Sequence, residues 1–519
     1  MPENLICQFS EVSAERWPQR TAIISGSQSL SFEVLQRQVL ACCALLQDLG
    51  LKPGERVVLA APKQPELVVM LLAVARLGAI FVPVHTQLKP SQLAHVIQDC
   101  QAAMLLTNQH RLTQLSLTGI SLNHLCVVMT EQLPMAISDF MNKPSAVLPA
   151  FESFVASDVA AIMYTSGSTG LPKGVVLSQQ NLMLGTMSVS QYLHINSSDV
   201  ILALLPFSFD YGLNQLLTAL YRGATLVLMD YLLPQDVVKT VTNYQVTGLA
   251  AVPPLWSALA RANWGEQGGK SLRYFTNSGG AMPLPLLKSL RQIFAHASPY
   301  LMYGLTEAFR SSYLEPTMLE QKPDSMGKAI PFADLLVLRP DGSECADDEP
   351  GELVHRGPLV SLGYWNDLQR TQERFRPDPK QPAGVMNKSM AVWSGDEVRR
   401  DAEGYLYYLG RLDEMLKCSG FRISPAEIEQ QVYQCAPELY DVAAIGVPFG
   451  DADSAVLLLY CSDSDVDEPS LMNLLRQHLA PYMCPKALLK LNELPKTANG
   501  KLDRKHLKLI YKDFFSDNV

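Results

Sequence analysis

The sequence predicts an α/β protein, with a large amino-terminal domain of parallel-rich sheets and covering helices and a small carboxy-terminal α+β domain. Three observations carry this. Short apolar runs alternate with helix-length stretches over roughly the first 400 residues, the pattern of parallel sheets with helical crossovers. The chain has 519 residues, which calls for two or more domains. The pattern changes near residues 404–417, where the run Tyr405-Leu406-Tyr407-Tyr408-Leu409 meets the charged connection Gly410-Arg411-Leu412-Asp413-Glu414. In chain order, the runs 56–60, 80–84, 103–107, 159–163 and 225–228 read as strands, and 65–77 and 90–99 as helices. The apolar stretch from Leu67 to Val84 is broken by Arg76 and Gly78 and reads as a buried helix followed by a strand, not a membrane span. Ser424-Pro425-Ala426-Glu427 is a helix start with proline in the first turn, and 442–447 is a further strand. The division is placed at 1–411 and 412–519.

Composition narrows the function. The chain is 48% hydrophobic and 18% charged, ordinary for a globular enzyme, and its net charge of −9 lacks the basic footprint of a nucleic-acid binder. Ten cysteines are scattered without a C-x-x-C pair, so neither a zinc site nor a disulfide framework is indicated. The start, Met1-Pro-Glu-Asn, has neither the basic region nor the apolar core of a signal peptide. A cytoplasmic protein with no membrane partner is expected.

The most informative segment is Tyr164-Thr165-Ser166-Gly167-Ser168-Thr169-Gly170-Leu171-Pro172-Lys173-Gly174. Its glycines allow backbone N–H groups to converge on an anion, its hydroxyls add donors, and Lys173 adds a mobile cation. That is the chemistry of a polyphosphate cradle. The alternative, a Gly/Ser linker, fits poorly with a Pro-Lys-Gly directly before the apolar run 175–177. The order differs from the P-loop, in which lysine follows glycine and precedes serine or threonine.

This Ser/Thr/Gly-rich loop ending in Pro-Lys-Gly resembles the phosphate loop of the adenylate-forming superfamily of acyl-CoA synthetases, peptide-synthetase adenylation domains and luciferases. Further motifs in the same order extend the resemblance over nearly the whole chain. It implies that ATP and Mg²⁺ are used and that Thr165, Ser166, Gly167, Ser168, Thr169, Gly170 and Lys173 hold phosphates. Asn277-Ser278-Gly279-Gly280-Ala281 and Tyr303-Gly304-Leu305-Thr306-Glu307 resemble its adenine-site and magnesium motifs. In them Tyr303 and Gly304 flank the base with Gly279, Gly280 and Ala281, Thr306 lies near the α-phosphate, and Glu307 is the metal ligand. Read by itself, Glu307 serves equally well as a helix cap. Asp396 resembles the ribose-binding aspartate and Arg411 its partner, a bidentate, charge-assisted arrangement. Asp413 falls at the hinge of a mobile small domain, and Gly420 at the tunnel for the thiol acceptor. Lys501, in Asn499-Gly500-Lys501, resembles the lysine that bridges the carboxylate and the α-phosphate, where a cation offsets two anions brought together.

The substrate pocket, by comparison with amino-acid adenylation domains, falls at Asp210, Tyr211, Asn214, Ala251, Thr276, Ser278, Met302, Arg310 and Ser311. This lining is polar, and Asp210 would hold an α-ammonium. Arg310 has two readings, as a structural partner of Asp210 or as a contact for a polar substrate group. The segments 304–314, 341–346 and 351–360 look like exosortase A-associated acyl-CoA ligases of Gram-negative bacteria. The resemblance implies a ligase that loads a small amino acid or polar carboxylate onto the phosphopantetheine of a separate carrier protein. An acyl-CoA ligase using CoA is the alternative, and a catalytically silent nucleotide-binding scaffold is the alternative of another class.

Overall fold

The structure is a computed structural model and describes residues 5–6, 8–141, 146–165, 171–412, 414–418, 421–449, 453–497 and 499–515. Among these residues the large unit contains three sheets. A six-stranded sheet runs in the order Cys126–Met129, Met104–Thr107, Arg56–Leu59, Ile80–Pro83, Val159–Thr165, Lys173–Ser178. All its neighbours are parallel except the last two strands, which form an antiparallel pair. A nine-stranded sheet has at its centre the parallel strands Ser298–Tyr303, Tyr274–Asn277, Gly248–Ala251, Val200–Ala203 and Thr225–Leu228.

Helices between and outside these sheets follow from the apolar pattern. In helix Pro65–Arg76 every residue but Glu66 is buried, which fits a segment hydrophobic all round. Its one cation, Arg76, is neutralised by Glu11 at 3.0 Å and donates to the Pro149 carbonyl at 2.8 Å. Helix Pro90–Asp99 begins at a proline in the first turn, and its inner face of Leu93, Ala94, Val96 and Ile97 is buried.

The third sheet differs from the expectation of parallel strands. Asp334–Leu338, Gly351–Arg356, Met390–Arg400, Phe375–Pro377 and Leu406–Arg411 pair antiparallel throughout. The cause is local. Asp341-Gly342, with Gly342 at φ +85°, turns the chain back on itself, and the connection 401–405 is too short for a helical crossover.

The small unit has its own core. Strands Asp441–Phe449, Asp453–Cys461 and Ala487–Lys490 form one sheet, and Leu416–Cys418 pairs with Phe421–Ile423. Helices Pro425–Cys435 and Glu468–His478 bury Ile428, Val432, Leu471 and Leu475 against one face of the larger sheet. Helix Arg504–Ile510 buries Leu507 against the other. As expected, Ser424 caps the first of these helices, accepting from the Glu427 N–H at 3.4 Å. Among the described residues no helix is long and apolar enough to cross a membrane.

Candidate active site

The parallel strands of the nine-stranded sheet end in the segments that carry chemistry. Val200–Ala203 leads to Asp210, Tyr274–Asn277 to Ser278–Ala281, and Ser298–Tyr303 to Gly304–Glu307. The crevice beyond the carboxyl ends of parallel strands is where α/β sheets bind ligands. An open cleft of about 480 Å³ lined by Lys288, Arg291 and His296 lies at the other end of this sheet, beside the start of Ser298–Tyr303, and takes no part in the site.

Lys173 is set by the antiparallel pair in which it faces Thr165. Its Nζ donates to Glu307 Oε1 at 3.0 Å and to the Tyr364 hydroxyl at 2.8 Å, and that hydroxyl donates to Glu307 Oε1 at 2.7 Å. Burial works to raise the Glu307 carboxyl, but Lys173 and these hydrogen bonds outweigh it and hold the pKa below the usual value. Glu307 is therefore an anion, in a short 3₁₀ turn, Thr306–Ala308. Residues 166–170, the rest of the expected phosphate loop, lie outside the described residues, as do the expected hinge Asp413 and the tunnel glycine Gly420.

Asp396 and Arg411 face each other across adjacent strands, and Arg411 Nη1 donates to Asp396 Oδ1 at 3.2 Å. The Tyr303 hydroxyl donates to the other carboxylate oxygen. Burial raises the Asp396 pKa, with Arg411 and Tyr303 opposing the shift. Tyr303 also stacks on His355, with centroids 6.1 Å apart. Both His355 ring nitrogens are buried without a partner among the described residues, and burial holds its pKa down at about 3.

Two of the expected substrate positions form a buried ion pair. Asp210 opens helix Asp210–Arg222, and Arg310 Nη2 lies 3.8 Å from its Oδ2, with the guanidinium 4.6 Å over the Tyr211 ring. The first reading of Arg310, as a partner of Asp210, is the observed geometry. Phe309 and Arg310 both adopt positive φ, +34° and +93°, a strained reversal for non-glycine residues. Two glycines make room for it. A Cβ on Gly185 would stand 2.3 Å from the Phe309 ring, and one on Gly304 3.0 Å from the Arg310 Cα. The Tyr211 hydroxyl is hydrogen-bonded to Thr276, and the expected positions Ala251, Ser278, Met302 and Ser311 are all buried.

Lys501 reaches this crevice from the small unit. Its turn is closed by the Thr497 N–H donating to the Lys501 carbonyl at 2.7 Å and the Lys501 N–H donating to Thr497 Oγ1 at 3.2 Å. Its Nζ lies 5.3 Å from the centre of the Phe209 ring, and a Cβ on Gly279 would stand 3.0 Å from its Cε. Loss of water lowers the Lys501 pKa, while Asp210, Glu307 and Asp396 pull it back upward.

Two residues escaped the sequence reading. Tyr364 joins Lys173 to Glu307, brought there by the bridge Val175↔Tyr364 and by the backbone bonds of Val176 N–H to the Gly363 carbonyl and Trp365 N–H to the Gly174 carbonyl, a pairing that local sequence does not announce. Lys63 is buried behind the pocket, its Nζ donating to the carbonyls of Ala203, Leu204 and Leu205 at 2.7, 2.7 and 3.2 Å. Its context, Ala61-Pro62-Lys63-Gln64-Pro65, reads only as a loop.

The architecture is that of the adenylate-forming ligases. A solved anthranilate CoA ligase in complex with anthranoyl-AMP superposes with a TM-score of 0.89 over 99% of this chain and 98% of that one, at 24% identity. The chain belongs to the AMP-binding enzyme family, whose profile matches residues 10–365, with the AMP-binding enzyme C-terminal domain matching 427–501. It is 30% identical to a feruloyl-CoA synthase of Amycolatopsis sp, covering 93% of this chain and 94% of that protein. It is also 30% identical to an L-proline--[L-prolyl-carrier protein] ligase of Pseudomonas fluorescens, covering 95% and 96%. Bacitracin synthase 3 of Bacillus licheniformis is 29% identical over 98% of the chain, which spans 8% of that protein's length.

Proposed function

We propose that this chain is a Mg·ATP-dependent ligase that activates a small polar carboxylate as its adenylate and passes the acyl group to a phosphopantetheine thiol, on coenzyme A or a separate carrier protein. The observation that carries the reading is the position of Lys501, brought from the small unit to within 5.3 Å of the Phe209 ring and within the field of Asp210, Glu307 and Asp396.

In the first half-reaction a carboxylate oxygen attacks the α-phosphorus and pyrophosphate leaves. Lys501 offsets the charge of two anions as they meet. Lys173, with the phosphate loop, receives the departing phosphates. The Asp396 carboxylate, held by Arg411 and Tyr303, accepts the ribose hydroxyls. The anionic Glu307 fits a magnesium ligand, since Mg²⁺ on a polyphosphate takes one or two protein carboxylates and keeps its waters. When bound, the ion neutralises phosphate charge. In the second half-reaction the thiol attacks the acyl carbon and AMP leaves with the bonding pair. We place the division between the two units after Arg411, with Asp413 as the hinge and Gly420 at the thiol channel.

Because Arg310 already engages Asp210, a polar carboxylate suits the pocket better than a zwitterion. The likeness to the prolyl-carrier protein ligase favours a second reading, an amino acid whose ammonium competes for Asp210. Pyrophosphate–ATP exchange across a panel of organic and amino acids tests the proposal, followed by thioester formation with coenzyme A and with a phosphopantetheinylated carrier. Exchange with at least one acid is expected. A lack of exchange with all of them would leave the silent scaffold.

A further inference from the structure

The Asp210–Arg310 pair and the positions next to it on the chain carry more hydrogen-bond donors than the described residues use. Arg310 and Asn214 are each 3% exposed and Ser311 is 0% exposed. Arg310 Nη2, Asn214 Nδ2 and Ser311 Oγ make no hydrogen bond with any described residue, and neither does Ser208 Oγ on the segment leading to Asp210. Asn214 lies one turn beyond Asp210 on the same helix, so the two side chains share a face. A buried amide or guanidinium N–H without a partner is costly, and such groups are kept where a ligand supplies the acceptor.

Charge narrows the class further. Arg310 is balanced by Asp210 at 3.8 Å, so the end of the pocket formed by this pair is neutral. A second carboxylate or an ammonium placed there would be a buried charge without a counter-ion.

We propose that the acid activated here carries, beyond its reacting carboxylate, a neutral hydrogen-bond acceptor (a carbonyl, amide or hydroxyl oxygen) that receives the Arg310 and Asn214 N–H groups. The inference rests on the ligase reading above. Lys501 holds the reacting carboxylate, and the Asn214 face selects the far end of the molecule. A methyl-terminated acid of equal length leaves these donors unmet and is discriminated against.

The test is pyrophosphate–ATP exchange with short acids matched in length and ending in methyl, hydroxyl, ketone, amide, carboxylate or α-amino groups. The hydroxyl, ketone or amide member is expected to exceed its methyl counterpart in kcat/KM by about tenfold or more, since sites built around hydrogen bonds reject analogues that lack them. Asn214→Leu is expected to shrink that ratio severalfold. Because it removes an unmet buried amide, it should fold with an unchanged or raised Tm. Asp210→Asn combined with Arg310→Met keeps the pocket neutral and should shrink the ratio as well. Equal or better use of the methyl, carboxylate or α-amino acids, or a ratio unmoved by Asn214→Leu, overturns this inference and leaves the ligase reading standing. No exchange with any acid overturns both.

Discussion

Lys501 is placed by contacts that can be altered one atom at a time. Gly279 has φ +82°, and a methyl group there would stand 3.0 Å from Lys501 Cε. Gly279→Ala is therefore strained and pushes the ammonium aside. A displacement of about 1 Å in a positioned group costs on the order of 10²-fold, and exchange activity should fall by about that much. Lys501→Ala should abolish adenylation while thioester formation from supplied adenylate continues, which single-turnover assays of the two halves would separate. The pH dependence follows from the lowered Lys501 pKa. The cation is complete below that pKa and is lost as pH rises through it. The alkaline limb of exchange should therefore fall below the ordinary lysine value of about 10.4 and move upward in Lys501→Arg. A limb unmoved by the substitution would assign the titration to another group.

At the scale of elements, the helix Arg504–Ile510 that follows Lys501 is anchored through its first residue. Arg504 Nη2 donates to Glu429 Oε2 at 2.7 Å and Nη1 to the Ala444 carbonyl at 3.3 Å, while Nε lies 3.5 Å from Glu414. Arg504→Met leaves Glu429 largely buried without its partner, at a cost of about 3 kcal/mol. The small unit should then melt earlier, and exchange activity should weaken with it, as calorimetry and exchange assays on one preparation would show. The local sequence around Arg504 does not announce this anchor, because its partners Ala444, Glu429 and Glu414 lie far back along the chain. Parallel strands such as Arg56–Leu59 and Thr225–Leu228 were legible because each is mostly a short apolar run, whereas Tyr274–Asn277 and Ser298–Tyr303, which carry polar residues or proline, were not picked out. The run Leu335-Leu336-Val337-Leu338, within Asp334–Leu338, is apolar throughout yet sits in an antiparallel sheet. Both faces of that strand are covered, so the period-two signal is absent. Lys173 and Glu307 could be singled out as polar residues in glycine-bearing segments. Tyr364 could not, because its place depends on a pairing across 189 positions of sequence, from Val175 to Tyr364.

For the whole molecule, the contacts between the two units can be named among the described residues. They include Lys501 beside Phe209 and Gly279, the Ser257 hydroxyl donating to the Tyr440 carbonyl at 3.5 Å, and Arg261 4.0 Å over the Tyr440 ring. Side-chain contacts of this kind can be exchanged when the units rotate between half-reactions. Asp413→Pro, at the proposed hinge, should leave exchange within a few-fold of wild type and slow thioester formation, and equal loss of both would argue against the hinge. Lys63 has a different kind of consequence. It holds the carboxyl end of a strand in the other sheet across a chain separation of 140 to 142 residues, so its bonds form only once both sheets are in place. Contacts made that late contribute little to the folding transition state and act on the rate of unfolding. Lys63→Met should accordingly shorten the half-life of activity at elevated temperature while the refolding rate stays close to wild type. The buried cation behind the pocket thus acts as a clock on the enzyme's lifetime, set apart from the chemistry it stands next to.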